Sequence, residues 1–264
     1  MKESTRERLL RLAEAEYKKF SASLVPGEEF MLGVRLPKLR ETAKELAKGN
    51  WKEELKEQDV YFEETMLRGM VLSYATVSMD PENAFSYIRD FIPLVRNWSV
   101  CDSVFLKMDV FKKDPDKTWE FLIPYLNSGK EFEVRVALIS MMGHLLRLGS
   151  EGNVIRRVRK ITSEDLLRIE EEEKKAGKYL DCIFKVIDRP FEEGYYAMMA
   201  AAWLLAEAFC FFPALTDRFL KSCNLDDVTY NKALQKITES RIPENKLKEY
   251  IKSCRRCGIK AGGK

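Results

Sequence analysis

Apolar residues recur at intervals of three and four positions along most of the chain, which is the spacing of an amphipathic helix. Stretches that alternate between β-branched and polar residues, as strands do, are almost absent. Turn-forming residues interrupt the helical pattern, for example in "MDPEN", "KKDPDK" and "NSGKE". The pattern predicts an all-α chain whose short connections favour antiparallel neighbouring helices. The predicted helices span about residues 3–22, 37–48, 61–77, 81–95, 97–110, 115–127, 131–148, 150–160, 163–174, 179–188, 194–211, 213–223, 227–240 and 243–256.

The helical segments also resemble one another in pairs. The stretches "TWEFLIPYLNSGKEFEVRVALISMM", "LDCIFKVIDRPFEEGYYAMMAAAWLLAEAF" and "LTDRFLKSCNLDDVTYNKALQKITES" each contain one helix, a short polar turn and a second helix. Helix pairs that recur at a period of about 30–40 residues are typical of an α-solenoid of HEAT-like repeats. We therefore predict one such domain over residues 1–256, with a concave surface lined by the second helices, and a flexible basic tail over 257–264.

The charge and hydropathy of the sequence say more about where the protein is located than about what it binds. Lys and Arg number 45 against 42 Asp and Glu in 264 residues, a net charge of +3 that permits a local basic stripe without identifying a nucleic-acid partner. No apolar run is long enough to span a membrane. The first residues are charged and amphipathic and contain no signal-peptide core. We expect a cytoplasmic monomer with no membrane partner.

The cysteines and the single histidine give little support for a metal site. Cys254 and Cys257 have the spacing of zinc ligands, but the sequence has no second such pair. A structural zinc site usually needs four ligands, so we expect a basic tail there and no metal or cofactor, with zinc as the alternative. The histidine, His144, is expected to be an ordinary helix residue rather than a general base.

Four residues on the predicted helices stand out as candidates for chemistry. Trp98 and Asp102 are one helical turn apart, so they project from the same face. Arg135 lies on a later helix, and Trp203 lies among small residues on another. One interpretation is a buried Arg–Asp pair with tryptophans in the core. The other is a groove that combines two aromatic faces, a carboxylate and a cation, which suits a substrate that is cationic or becomes cationic in the transition state.

The ordered stretches "MLGVRLPKLRETAKEL", "NWSVCDS", "EVRVALI", "MAAAWLLAEA" and "LDDVTYNKALQKI" carry a family resemblance over about residues 28–240. The chain resembles the HEAT-like-repeat DNA alkylation-repair glycosylases, the AlkD-like family. The resemblance implies a solenoid that holds duplex DNA in its concave groove. It also implies hydrolysis of the glycosidic bond of N3-methyladenine and N7-methylguanine, without base flipping, a metal or a covalent lysine.

The resemblance implies a role for each candidate residue. Asp102 would stabilise the developing oxocarbenium ion and position water, while Trp98 and Trp203 would pack against the lesion's sugar and backbone. Arg135 would contact a phosphate near the lesion. Further candidates for phosphate contacts are the basic residues Lys107, Arg147, Arg156, Arg157 and Lys232.

The chain departs from the family pattern where basic residues are common. Met198, Met199 and Ala206 flank Trp203, and Asn231 replaces a basic residue on a later helix. Fewer phosphate contacts predict weaker and less salt-sensitive DNA binding. Two alternatives to a glycosylase therefore stay open: a catalytically inactive module that binds DNA or protein, and a solenoid scaffold with no nucleic-acid role.

Overall fold

The computed structural model describes residues 3–256 except 29, 150–152, 158, 168 and 170. The helices are α1 (Thr5–Leu12), α2 (Ala15–Leu24), α3 (Leu36–Leu46), α4 (Trp51–Glu54), α5 (Phe62–Ala75), α6 (Pro81–Phe91), α7 (Trp98–Phe105), α8 (Pro115–Leu126), α9 (Glu131–Ser140), α10 (Glu171–Lys174), α11 (Gly177–Ile187), α12 (Tyr195–Phe211), α13 (Pro213–Ser222), α14 (Asp227–Glu239) and α15 (Asn245–Ser253). Short 3₁₀ turns cover Thr76–Ser78, Ile92–Leu94, Asp109–Lys112 and Glu164–Leu166. The described residues form no strand beyond two isolated bridges. The prediction of an all-α chain is confirmed.

The α-carbon contacts group the chain into two compact units, Met1–Phe121 and Leu122–Lys264. The predicted single domain and the stacking of HEAT-like repeats stay predictions beside this division. The predicted flexible tail, 257–264, lies outside the described residues. Each described helix is too short or too polar to cross a membrane.

Helix α5 forms the centre of the first unit. It packs mainly against α3 and α7, and it buries an apolar face that includes Phe62, Met66 and Met70. Gly69 lies where α5 approaches its neighbours most closely. A Cβ atom added there would lie 2.5 Å from both the Phe91 ring and a Val104 methyl group. The absence of a side chain at this position is therefore what allows α6, α7 and α5 to pack together.

A buried acid on α5 holds the turn before α3. The Glu63 side chain accepts hydrogen bonds from the backbone N–H groups of Leu32 (2.8 Å), Gly33 (2.6 Å) and Val34 (3.2 Å). Gly33 has a φ of +89°, and an added Cβ would lie 2.6 Å from the carbonyl oxygen of Glu14. The "LGV" sequence therefore forms a tight turn that α2 covers and that a carboxylate 30 residues away stabilises.

Helix α12 forms the centre of the second unit and packs against α9, α13 and α14. Its alanines, among them Ala200, Ala201 and Ala208, are fully buried and permit close helix contacts. Helix α9 continues directly into a π-helical turn over Met141–Leu145, in which the Leu146 N–H donates to the Met141 carbonyl at 2.9 Å. At the other end of α12, the buried carboxylate of Glu173 accepts the N–H groups of Ala214 and Leu215 and thereby caps α13.

The predicted helix over 150–160 is wrong for the residues described there. Residues 153–157 are not helical, and Val154 forms an antiparallel bridge with Leu148. The Ile155 N–H donates to the Arg147 carbonyl at 2.6 Å, and the Gly149 N–H donates to the Asn153 carbonyl at 2.8 Å. The segment folds back on the end of the preceding helix, so its backbone hydrogen bonds are made with Arg147 and Gly149 and not within a helix.

Two further predicted helices are shorter than expected. The predicted helix over 97–110 ends at Phe105, and a separate 3₁₀ turn follows at Asp109–Lys112. The predicted helix over 163–174 is divided into a 3₁₀ turn and the single turn of α10. Asp165, which is buried, accepts the Thr162 N–H at 2.7 Å and holds the chain in the 3₁₀ conformation there.

We predict that Gly69→Ala lowers the free energy of unfolding of the protein by about 1–3 kcal/mol, because the new methyl group overlaps Phe91 and Val104. An unhindered Gly→Ala change inside a helix raises stability by up to about 1 kcal/mol, so a loss of stability would indicate steric overlap. Urea denaturation measures the change. The control is Gly49→Ala, in the bend after α3, where the added Cβ is 3.5 Å from its nearest neighbour and no loss of stability from overlap is expected. A stabilised Gly69→Ala variant would contradict the packing described above.

Candidate functional site

Trp98 and Asp102 lie on the partly exposed side of α7. The Asn97 side chain caps this helix by accepting the Val100 N–H at 2.9 Å, which places Trp98 at the first helical position. Val100, Cys101, Val104 and Phe105 are buried, whereas Trp98 and Asp102 are both half-buried. The one-turn spacing predicted from the sequence is therefore present, and neither side chain is sealed in the core.

Hydrogen bonds from the start of α7 fix the orientation of Trp98. The indole N–H donates to the carbonyl oxygen of Leu24 at the end of α2, at 3.1 Å. The adjacent Asn97 amide donates to the Glu28 carboxylate at 3.2 Å. Partial burial raises the pKa of Glu28, which the bond from Asn97 partly offsets. With its N–H held by the backbone, the indole presents a ring whose orientation does not depend on a ligand.

The first unit also contains a cavity of about 500 Å³ beside the start of α7. Its lining includes Glu28, Arg96, Asn97 and Val100, but neither Trp98 nor Asp102. The aromatic ring and the carboxylate therefore lie outside this cavity, on the face of a helix.

Trp203 lies on the partly exposed stripe of α12. Tyr195, Met199, Trp203 and Glu207 follow one another at intervals of four residues and are exposed or half-buried. The alanines on either side, such as Ala202 and Ala206, are buried. The indole is therefore the largest side chain on this stripe, and it is half-buried.

Arg135 holds the start of the helix that carries Trp203. Its side chain is buried, at 5% exposure, and one guanidinium N–H donates to the Tyr196 carbonyl at 2.7 Å. Glu131, one turn earlier on α9, accepts the Tyr196 N–H at 2.6 Å. The pair thus binds both backbone polar groups of Tyr196. The predicted contact between Arg135 and a DNA phosphate stays a prediction, and the geometry favours a positioning role.

The remaining basic candidates differ in their surroundings. Lys107 is exposed, whereas Lys232 is half-buried and donates to the Gln235 side chain at 3.0 Å. Asn231, where the sequence departs from the family pattern, binds both the N–H and the carbonyl of Arg256, at 3.0 and 2.8 Å. This amide therefore fixes the chain that follows α15 and occupies a structural position.

The described residues that could ligate a metal or act as a general base do not form another candidate site. Within the described ranges, no group of three His, Cys, Asp or Glu side chains is placed to hold a metal ion. Cys257, one of the two cysteines at zinc-ligand spacing, lies outside those ranges. His144 is 2% exposed in the π-helical turn after α9.

A comparison with protein families identifies the chain. The sequence profile described as "DNA alkylation repair enzyme" matches residues 5–176, which is more than half of the chain and includes Trp98, Asp102 and Arg135. The chain belongs to this family of DNA alkylation repair enzymes. Membership supports a role in DNA alkylation repair, with DNA as the substrate. Comparisons with curated proteins and with solved structures gave no match.

Two positions of this family member were not singled out from its sequence. Glu131 and Tyr196 contribute the bonds that fix α12, yet neither has a motif of its own. The four-residue spacing between Glu131 and Arg135 is the available signal, since opposite charges at that spacing share a helix face. Their joint target is 61 residues away from Arg135, and the pattern of helices does not indicate such a partner.

We predict that Trp98→Phe lowers the free energy of unfolding by about 0.5–1.5 kcal/mol more than the same change at a tryptophan without an N–H bond. The reference is Trp51→Phe, because the Trp51 indole packs edge-on against Tyr87 and makes no N–H hydrogen bond among the described residues. Urea denaturation of both variants measures the difference. Equal losses would show that the Leu24 bond does not stabilise α7.

We also predict that Arg135→Gln lowers the free energy of unfolding by about 1–3 kcal/mol, because it breaks the bond to Tyr196. Glu131→Gln is expected to have a similar effect through the other polar group of that residue. The salt dependence of DNA binding is expected to stay that of the wild type. A decrease of about 0.9 in the slope of log K against log salt for Arg135→Gln would instead demonstrate a phosphate contact.

Proposed function

We propose that this family member is a monofunctional DNA glycosylase that hydrolyses the glycosidic bond of cationic alkylated purines in duplex DNA. N3-methyladenine and N7-methylguanine are the proposed substrates, and the base is removed without being flipped into a pocket. The observation that supports the proposal most directly is the pair on α7, where Trp98 and Asp102 share a half-buried face one turn apart. The cavity of about 500 Å³ beside the start of α7 is lined by neither residue, whereas a base-flipping enzyme holds the extruded base in a pocket.

The proposed reaction uses the positive charge that alkylation places on the purine. The bond between C1′ and the purine nitrogen breaks, and its electron pair goes to the purine, which leaves as a neutral base. The sugar becomes an oxocarbenium ion, which the Asp102 carboxylate stabilises electrostatically. A water molecule then attacks C1′ and loses one proton, so the products are the free base and an abasic site. A leaving group that is already cationic needs no general acid.

The two tryptophans are proposed to supply aromatic faces to the positively charged sugar. The electron-rich face of an indole attracts a cation. The bond from Trp98 to the Leu24 carbonyl keeps its ring in one orientation, so little entropy is lost when DNA binds. Trp203 is held less directly, through the clamp that Glu131 and Arg135 place on Tyr196 at the start of α12.

Lys107 and Lys232 are proposed to contact backbone phosphates, and Arg135 is proposed to position α12. Lys107 is exposed and follows α7 by two residues, so it lies close in the chain to the proposed carboxylate. The protein is proposed to act as a monomer, without a metal or a cofactor.

A second candidate function is a DNA-binding module without catalysis. The observation that favours it is the lack of a basic residue on α12 and at position 231 of α14. Helix α12 carries no lysine or arginine, and Asn231 is engaged with the backbone of Arg256. This candidate predicts duplex binding that survives the loss of the Asp102 carboxylate, with no release of base by any variant.

We predict that Asp102→Asn slows the release of N3-methyladenine and N7-methylguanine from methylated duplex by about 10²–10³-fold, because the carboxylate no longer stabilises the oxocarbenium ion. Chromatography of the released bases under single-turnover conditions measures the rate. Asp109→Asn is the matched control, since it removes an acid that is 50% exposed and paired with Lys112, and its rate is expected to equal that of the wild type.

Binding to a duplex with a non-cleavable abasic analogue is expected to change less than about threefold in Asp102→Asn, because the proposed role is in the transition state. Equal release by wild type and Asp102→Asn would sink the proposed role of the carboxylate. Release by neither, with binding intact, would favour the non-catalytic module.

A further inference from the structure

Two arginines of the second unit converge on one acid and one aromatic ring. Arg157 forms an ion pair with Glu207 at 2.9 Å, and Arg147 approaches the same carboxylate oxygen at 3.7 Å. The guanidinium carbons of Arg147 and Arg157 lie 4.7 and 5.2 Å from the centre of the Phe211 ring. Glu207 and Phe211 are both on α12, one turn apart, so the helix organises both cations.

The backbone delivers both arginines to this place. Arg147 follows the π-helical turn that ends α9. Arg157 comes from the segment that folds back on that end, where the Ile155 N–H donates to the Arg147 carbonyl at 2.6 Å and Val154 bridges to Leu148. The two side chains therefore start from paired stretches of main chain, so their starting points do not depend on a ligand.

The net charge of Arg147, Arg157 and Glu207 favours the binding of an anion. One carboxylate serves two guanidiniums, so the trio carries a surplus of one positive charge. The side chains of Arg147 and Arg157 are 44% and 41% exposed, whereas that of Glu207 is 22% exposed. A guanidinium whose face lies over a ring still presents N–H groups along its edge, and these bind phosphate oxygens in pairs.

The position of the group relates it to the proposed DNA contact. Glu207 is one turn beyond Trp203 on the same partly exposed stripe of α12. Helix α12 itself contains no lysine or arginine. We propose that Arg147 and Arg157 together bind a phosphate of the duplex DNA backbone beside Trp203, and that the Glu207 carboxylate competes with that phosphate. This inference rests on the proposed function only in taking duplex DNA as the ligand.

The test measures binding to a duplex that contains a non-cleavable abasic analogue, over a range of salt concentrations. Arg147→Gln and Arg157→Gln are each expected to weaken binding by about 3- to 10-fold and to lower the salt slope by about 0.9, since each removes a phosphate contact. Glu207→Gln is expected to tighten binding by at least about threefold, because the competing charge is removed. Arg147→Lys and Arg157→Lys are each expected to retain the wild-type slope.

Arg159→Gln is the matched control, because Arg159 is 67% exposed in the same unit and pairs with Asp165. It is expected to bind as the wild type does. Thermal unfolding of every variant establishes that the fold is retained. Unchanged slopes in both arginine variants, or weaker binding by a folded Glu207→Gln variant, would overturn the proposal.

Base release is assayed separately with the wild type, so the two proposals fail independently. Lower slopes in the arginine variants, with no release of base, would retain the phosphate site and reject the glycosylase. Release of base with unchanged slopes would retain the glycosylase and reject the phosphate site.

Discussion

Carboxylates that accept main-chain N–H groups from distant turns and helix starts hold this structure together. Glu63 binds three amides of the turn before α3, Glu131 binds the first turn of α12, and Glu173 binds the first turn of α13. A helix start has amides without partners inside the helix, and a buried one needs acceptors from elsewhere. A carboxylate is the strongest acceptor that a side chain offers, and each of these bonds joins residues at least 29 positions apart.

These bonds determine where the candidate residues lie. In the first unit, Glu63 secures the turn that α2 covers, and the end of α2 accepts the indole N–H of Trp98. In the second unit, Glu131 and Arg135 hold Tyr196, two turns before Trp203 on α12. The Trp98 indole is therefore fixed by a backbone carbonyl, and the helix that carries Trp203 is fixed through the backbone of Tyr196. Rings held in this way keep their faces available for a ligand, as catalysis by preorganised groups requires.

The features that were predictable from sequence are those that depend on neighbours along the chain. Helical periodicity located α5, α7 and α12, and the four-residue spacing placed Trp98 and Asp102 on one face. The segment around Val154 was predicted as a helix because its apolar pattern is compatible with one, whereas its backbone bonds go back to Arg147 and Leu148. The roles of Glu63 and Glu131 depend on partners 29 to 65 residues away, which no local pattern specifies. Asn231 looked like a lost phosphate contact and is a docking point for Arg256.

The π-helical turn over Met141–Leu145 determines the direction of Arg147. Such a turn contains one residue more than the α-helical turn it replaces, and every later residue is rotated by about 100° around the axis. Arg147 is the second residue after this turn, so its direction depends on a single inserted position. A relative with an arginine at the aligned place but one residue fewer in the turn would direct that guanidinium away from Phe211 and Glu207. The direction of the Arg147 guanidinium therefore depends on the number of residues in this turn as well as on the identity of the residue.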